Sequence, residues 1–413
     1  MNIVGIIAEY NPFHNGHGYH LKESLEKASA EYSVAVMSGN FLQRGEPALY
    51  DKWTRSEIAV KNGIDLVIEI PFAFACNSAE YFAKGALGIL NGLGCITHLS
   101  FGSENGNIAE LIKAASLLAK ENPKLSQFIK EEMRKGLSFP KARYEGLRRY
   151  AGDQIAEAIK GSNNILAVEY LKQCIVTDSL ITPITIKRFG SGYDEKNWIG
   201  SIASATAIRQ KVLIEGLDLE NIAEVISSIT LKSIKDKPDI DPIGFEDFFE
   251  LIIYEIITNS SSELKKIFSV TEGLENRVLT YAKKSDSLEA LIRGIKTKRY
   301  TETHIQRLLI HLLLHLTKDK MKTFSDNMNG LYARVLALNE KGAKILSYIK
   351  DEERARIPII TNINKEMADL PNVIELLNFD IMASDVYNLA AKRNIYKNSD
   401  HVKKLYVRGL NLE

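Results

Sequence analysis

Residues 3–17 read Ile3-Val4-Gly5-Ile6-Ile7-Ala8-Glu9-Tyr10-Asn11-Pro12-Phe13-His14-Asn15-Gly16-His17, and this stretch decides the fold. Ile3–Ala8 is a short apolar, β-branched run of the kind that forms a buried strand. Asn11-Pro12 is a turn pair. Beyond it a helix-like pattern runs on through Leu21 and Leu25. A strand that turns directly into a helix places unpaired backbone N–H groups and a positive dipole end beside the strand's carboxyl end, a setting suited to phosphates. Gly16 allows a ligand to approach the backbone closely. His14 and His17, three residues apart, can both donate hydrogen bonds to charge building on a leaving pyrophosphate. These two histidines are the candidate catalytic residues.

Working outward, strand-like runs recur at 32–37, 65–70, 96–101 and 181–187, with helical stretches such as 52–62 and 78–90 between them. Apolar runs bounded by turn signals and alternating with helices predict a parallel sheet covered on both faces. The expected fold is an open α/β, Rossmann-like one that binds ligands at the carboxyl ends of its strands. Residues 107–158 read as purely helical, a candidate insertion between the fourth and fifth strands. After about residue 215 the pattern is mainly helical, with helices expected over 245–258, 288–296, 303–317 and 328–349. Two late β-like runs, 357–361 and 404–407, are expected to pair with each other. The chain therefore divides into 1–215, an α/β domain, and 216–413, a mainly α-helical C-terminal domain.

Charge and composition narrow the function. The chain of 413 residues has 53 Lys+Arg against 52 Asp+Glu, and 45% of it is hydrophobic. That excludes a disordered tail, a collagen-like chain and a uniformly basic protein. By block, residues 1–200 hold 22 basic and 22 acidic residues, 201–300 hold 14 and 16, and 301–413 hold 17 and 14. Any nucleic-acid surface must then be a local strip. Cys76, Cys95 and Cys174 are scattered and form no CxxC, which argues against a disulfide framework or a zinc ribbon. No segment has the apolar length of a membrane span, and no basic leader opens the chain, so a cytoplasmic location is expected.

H-x-G-H after the first strand resembles the nucleotidyltransferase superfamily, related to class I aminoacyl-tRNA synthetases. A second stretch, Ser201-Ile202-Ala203-Ser204-Ala205-Thr206-Ala207-Ile208-Arg209, resembles that superfamily's I-S-S-T-x-I-R element. Ala205 replaces the second serine, so Ser204, Thr206 and Arg209 carry over as ATP contacts. Longer runs, GIIAEYNPFHNGHGYHL, MSGNFLQRGEPALYDKWTRSEIAVKNGIDLVIEIP, SFGSE, NNILAVEYLK and TKRYTETHIQRLLIH, resemble the bacterial tRNA(Met) cytidine acetate ligase family. That resemblance implies an ATP-dependent enzyme that forms acetyl-adenylate and transfers acetyl to the N4 amine of the wobble cytidine of elongator tRNA(Met). It also implies that Ile7, Ala8, Glu9, Tyr10, Asn11, Pro12, Phe13, His14, Asn15, Gly16, His17, Gly18, Tyr19 and His20 wrap the ATP, and that Gly102, Asn164 and Arg188 complete its pocket. Mg²⁺ is expected to bridge the phosphates, held mainly by ligand oxygens and water.

Other expectations rest on the residues themselves. Ser38, Asn40 and Arg44 close the second strand and open the following loop, and are the candidates for binding acetate or the cytosine. Over residues 303–318 a leucine stripe faces a second face carrying His304, Arg307, His311, His315 and Lys318. With Lys298 and Arg299 just upstream, this predicts a cationic strip for RNA phosphates. Arg143, Arg148 and Arg149, interleaved with tyrosines, and the tail residues Lys403 and Lys404 are further RNA-facing candidates. His311 and His315 lack a third ligand, so no metal site is expected. The alternatives are a small-molecule adenylyltransferase and a non-catalytic, nucleotide-sensing RNA-binding protein.

Overall fold

The computed structural model describes residues 1–120, 122–188, 204–213, 222–237, 240–271, 273–391 and 399–409. Its centre is one sheet. Strands β1 (Ile3–Ala8), β2 (Tyr32–Ser38), β3 (Leu66–Ile70), β4 (His98–Ser103) and β5 (Thr182–Lys187) are all parallel to one another, in the order β5-β4-β1-β2-β3. The β1–β2 register pairs Ile3 with Tyr32 and Ala8 with Met37. Both faces are covered, as the continuous apolar runs predict. Within β2 the side chains alternate: Val34 and Val36 join one core with Phe82 and Leu90, while Ala35 and Met37 join another with Leu21 and Ile58. The second face is covered by helices α1 (Asn15–Lys27) and α2 (Lys52–Lys61).

The order of strand placement reverses at β1. The strands run outward from β1 to β3, then return to its other side for β4 and β5. The crevice between β1 and β4 is therefore the switch point of the sheet, where open α/β folds bind ligands. Between β4 and β5 lie helices Ile108–Ala119, Pro123–Arg134, Phe139–Ala151 and Ser162–Val176.

The sheet does not stop at residue 215. Residues 328–349, expected as one helix, instead contain strand β6 (Ala333–Asn339) followed by helix Glu340–Asp351. β6 pairs antiparallel with β3. Ala333–Leu338 is buried, and apart from Arg334 the run is apolar on both faces, so it carries little period to separate strand from helix. The helix starts where Asn339 caps it, its Oδ1 accepting from Gly342 N at 3.0 Å. The late β-like runs do not pair with each other. Strands β7 (Ile359–Ile360) and β8 (Tyr406–Arg408) each pair with β6.

A buried charge cluster fastens these late segments to the early ones. Lys52 Nζ lies 2.7 Å from Glu69 Oε1 and 2.8 Å from Asp400 Oδ2, and Arg334 Nη1 lies 2.8 Å from Asp400 Oδ2. Two cations meet two carboxylates, so each desolvated charge has an opposite neighbour.

Candidate active site

The turn from β1 into α1 is held by its own histidines. His14 is the N-cap of α1, and its Nδ1 accepts from Gly16 N at 3.1 Å. His17 Nδ1 accepts in return from His14 N at 3.2 Å. This is a capping box with imidazoles in place of the usual hydroxyl and carboxylate. The two rings stack at 3.8 Å, and Tyr10 and Phe13 pack against His17. Because each Nδ1 accepts from the backbone, the proton of each neutral ring resides on Nε2. Burial, then the charges of Arg188 and Arg209, push His14 down to about 3. Burial likewise holds His17 well below the ordinary histidine value. At neutral pH both are neutral Nε2–H donors.

A cavity of about 1050 Å³ opens in front of them, over the carboxyl ends of the strands. Of the first-turn segment, Ile7, Ala8, Glu9, Tyr10, Asn11, His14, Gly16, His17, Tyr19 and His20 line it. Pro12, Phe13, Asn15 and Gly18 do not line it. Phe13 is buried, and the Asn15 amide donates to Glu224 O at 3.0 Å. Gly102 and Arg188 line the cavity at the ends of β4 and β5. A Cβ on Gly102 would come 3.3 Å from Arg188 Cγ. Arg188 Nη1 donates to Asn163 Oδ1 at 2.7 Å. Asn163 lines the cavity and was missed in the sequence, where only the second asparagine of the pair was singled out. Asn164 is buried behind the wall, its Oδ1 accepting from Glu104 N at 3.1 Å.

Ser204, Thr206 and Arg209 also line the cavity, at the start of helix Ala205–Leu213. Ser204 Oγ accepts from Ala207 N at 3.1 Å, and Arg209 bridges Asn11 O at 3.1 Å and Glu46 Oε1 at 2.7 Å. Ser201, Ile202 and Ala203 of that motif lie outside the described residues.

On the β2 side of β1 the wall is formed by Gln43, Arg44 and Arg307. Ser38 and Asn40 do not reach the cavity. Both are buried, and Asn40 Oδ1 accepts from Lys52 N at 2.7 Å. Arg55 is buried too, and donates to the carbonyl oxygens of Glu9, Ser38, Gly39 and Tyr50, fixing the end of β2. Burial pushes the Glu9 carboxyl up.

The expected RNA-facing cations separate. Arg143, Arg299 and Arg307 line the cavity, with Arg143 paired to Glu169 at 2.5 Å. Lys298 is exposed nearby on the loop before helix Glu302–Leu313. Arg148 pairs with Glu145, Arg149 with Glu131 and Glu132, and Lys403 with Asp51. Lys404 lies beside Lys403, away from the cavity.

The expected cationic face of residues 303–318 needs correction at His311. That ring is wholly buried, with Nδ1 2.7 Å from Ser269 Oγ and Nε2 2.6 Å from Cys76 O. It is a core residue, because the helix is apolar around more of its girth than a single stripe. Burial raises the thiols of Cys76 and Cys95, the latter to about 12. Among the described residues no group of three His, Cys, Asp or Glu side chains could hold a metal ion. Nor is any helix among them long and apolar enough to cross a membrane.

Comparison with known proteins agrees with this architecture. The family described as HIGH Nucleotidyl Transferase matches residues 1–402. A tRNA(Met) cytidine acetate ligase of Thermoanaerobacter sp. (strain X514) is 42% identical over 407 residues, covering 98% of this chain and 99% of that one. The protein of the same name from Caldicellulosiruptor saccharolyticus is 43% identical over 395 residues, covering 95% of each. The crystal structure of Thermotoga maritima TmcAL bound with alpha-thio ATP superposes with a TM-score of 0.91 at 31% identity, over 98% of this chain and 100% of that one.

Proposed function

The chain belongs to the tRNA(Met) cytidine acetate ligase family of HIGH nucleotidyl transferases, and from that premise we propose that it activates acetate with ATP and acetylates the wobble cytidine of elongator tRNA(Met). The observation that carries the proposal is the α1 start. Two neutral imidazole donors, a helix N-terminus and Arg188 and Arg209 converge on one cavity at the sheet's switch point. That arrangement fits a nucleoside triphosphate.

Acetate is already ionised at neutral pH and needs no base. The work of the first step is alignment of its oxygen with the α-phosphorus and stabilisation of the departing pyrophosphate. His14 and His17 supply hydrogen bonds to the charge that builds there. Arg209 is held by Asn11 and Glu46 on the turn side, and Arg188 by Asn163 on the β5 side. Mg²⁺ would enter with the nucleotide, held by phosphate oxygens and water. In the second step the cytosine N4 amine attacks the acetyl carbonyl, AMP leaves and the amine loses a proton. A wobble base in an anticodon loop is already unstacked enough to be offered. Lys298 and Arg299 at the cavity rim suit the RNA phosphates.

The test is ATP–pyrophosphate exchange with and without acetate, followed by transfer of labelled acetate to tRNA. Acetate-dependent exchange and labelled tRNA are expected. Exchange that instead needs a mononucleotide, or no exchange at all, overturns the proposal. The double charge reversal Lys298→Glu, Arg299→Glu should weaken tRNA binding and flatten its salt dependence while leaving ATP affinity unchanged.

A further inference from the structure

Arg307 differs from Arg143 and Arg209 of the same cavity. Arg143 is paired with Glu169 and Arg209 with Glu46, whereas no carboxylate among the described residues pairs with Arg307. Its Nη1 donates to Gln43 O at 3.1 Å. Burial lowers its affinity for a proton, outweighing the opposite influence of the Cys76 thiol. A guanidinium held in a cavity without a counter-ion is a place for an anionic ligand.

Its support is rigid. Gln43 N donates to Glu9 Oε1 at 2.8 Å, and Gln43 Nε2 donates to Asn77 O at 2.9 Å. Gly45, at φ +83°, lets the loop press on helix Glu302–Leu313 so closely that a Cβ there would meet Arg307 N at 2.2 Å. Gln43, Arg44 and Arg307 thus form one wall, on the β2 side of β1. Gly102 and Arg188 lie on the opposite side, at the ends of β4 and β5. A nucleotide seated over the β1–β4 crevice and the α1 start leaves the β2-side wall for the second reactant.

We propose that Arg307, seconded by Arg44, holds the carboxylate of acetate on the β2-side wall, presenting it to the α-phosphorus across the α1 start. The planar fork of an arginine matches a carboxylate edge. Ala79 and Phe82 line the same cavity and offer apolar surface for a methyl group. RNA phosphates lie along an extended backbone and are met by exposed cations such as Lys298, whereas Arg307 sits under the Leu42–Glu46 loop. The sequence groups Arg307 with the RNA-facing cations because both share one helix face; its place in the cavity assigns it to the small anion. This inference rests on the ligase reading above.

Arg307→Met and Arg307→Lys are the test variants, each first checked for an unchanged thermal melt. In acetate-dependent exchange, KM for acetate should rise about 30-fold in Arg307→Met and less in Arg307→Lys. The dissociation constant for ATP, measured without acetate, should stay within about two-fold. Weakened ATP binding with an unchanged acetate KM would assign Arg307 to the phosphates. Weakened tRNA binding alone would assign it to RNA. Either result overturns the proposal. A wild-type chain without acetate-dependent exchange overturns the ligase reading instead. In that case saturation-transfer NMR of acetate with the ATP-analogue-bound protein still decides Arg307: acetate bound by wild type and lost in Arg307→Met supports the site, and equal signals refute it.

Discussion

The two ring nitrogens of His17 stand in different settings: Nδ1 closes the α1 cap, while the neutral ring, which lines the cavity, carries its proton on Nε2, the donor proposed for the nucleotide. His17→Asn can still accept from His14 N but withdraws the outer donor. The expected outcome is a fall of about 100-fold or more in pyrophosphate exchange with an unchanged melt. A fall confined to the melt would make His17 a cap only. The buried histidines also fix a pH dependence. His14 and His311 are pushed down to about 3, and His20 and His304 to about 4, from 6.5 in the unfolded chain, with burial the largest cause. Below pH 6.5 the unfolded chain therefore binds more protons than the folded one, and stability is lost as the pH falls toward those values. Urea midpoints taken between pH 7 and about 4.5 should drop, and His311→Asn should drop less steeply because it removes one titrating site. Equal slopes for the two proteins would refute burial as the cause. At this scale much of the site was legible: H-x-G-H directly after a strand names both its residues and its place. What a sequence hides is which polar residues face inward, so His311 read as cationic surface and Asn40 as a ligand contact.

The Leu42–Glu46 loop is the element that joins the early and late parts of the site. It closes on itself through Leu42 N to Glu46 O and Gly45 N to Leu42 O, both at 2.9 Å. It brings Gln43 and Arg44 to the cavity, and Glu46 to Arg209. Gly45 is required twice over, by its left-handed backbone and by the helix backbone that fills the space of a side chain. Gly45→Ala cannot be absorbed by a rotamer change, since the obstructing atoms are main-chain atoms of Gln306 and Arg307. It should lower the melting temperature and, even at temperatures where the protein stays folded, raise KM for acetate more than for ATP. Equal effects on both substrates would show that the loop serves the cavity as a whole. The loop's turn character was readable from Arg44-Gly45-Glu46-Pro47, but its docking partner, some 260 residues away in the chain, leaves no local trace. The same physics hid β6. Its pairing with β3 is a long-range choice, and a fully buried segment suits either structure locally.

For the whole molecule, the question is whether the nucleotide-binding half can exist alone. Its five parallel strands were legible because each is an apolar run between turn signals, and residues 1–215 supply every wall of the cavity except the one from residues 271–307. Yet β3 is not an edge: Leu66, Val67, Ile68 and Ile70 are fully buried, and β6 supplies the pairing on its open side. Lys52 is equally dependent, since Asp400 shares it with Glu69. A chain ending at residue 215 would expose an apolar strand edge and strip a buried ammonium of one of its two carboxylates, and both changes penalise the folded state. It should therefore show no cooperative thermal transition, bind ANS and aggregate, whereas the full chain melts cooperatively. Supplying residues 216–413 as a separate chain during refolding should restore solubility together with ATP binding, because the missing contribution is a strand and its counter-ions rather than a linker. A chain ending at residue 215 that melts cooperatively and binds ATP would show that the sheet is complete without β6, and the dependence argued from β3 and Lys52 would fall.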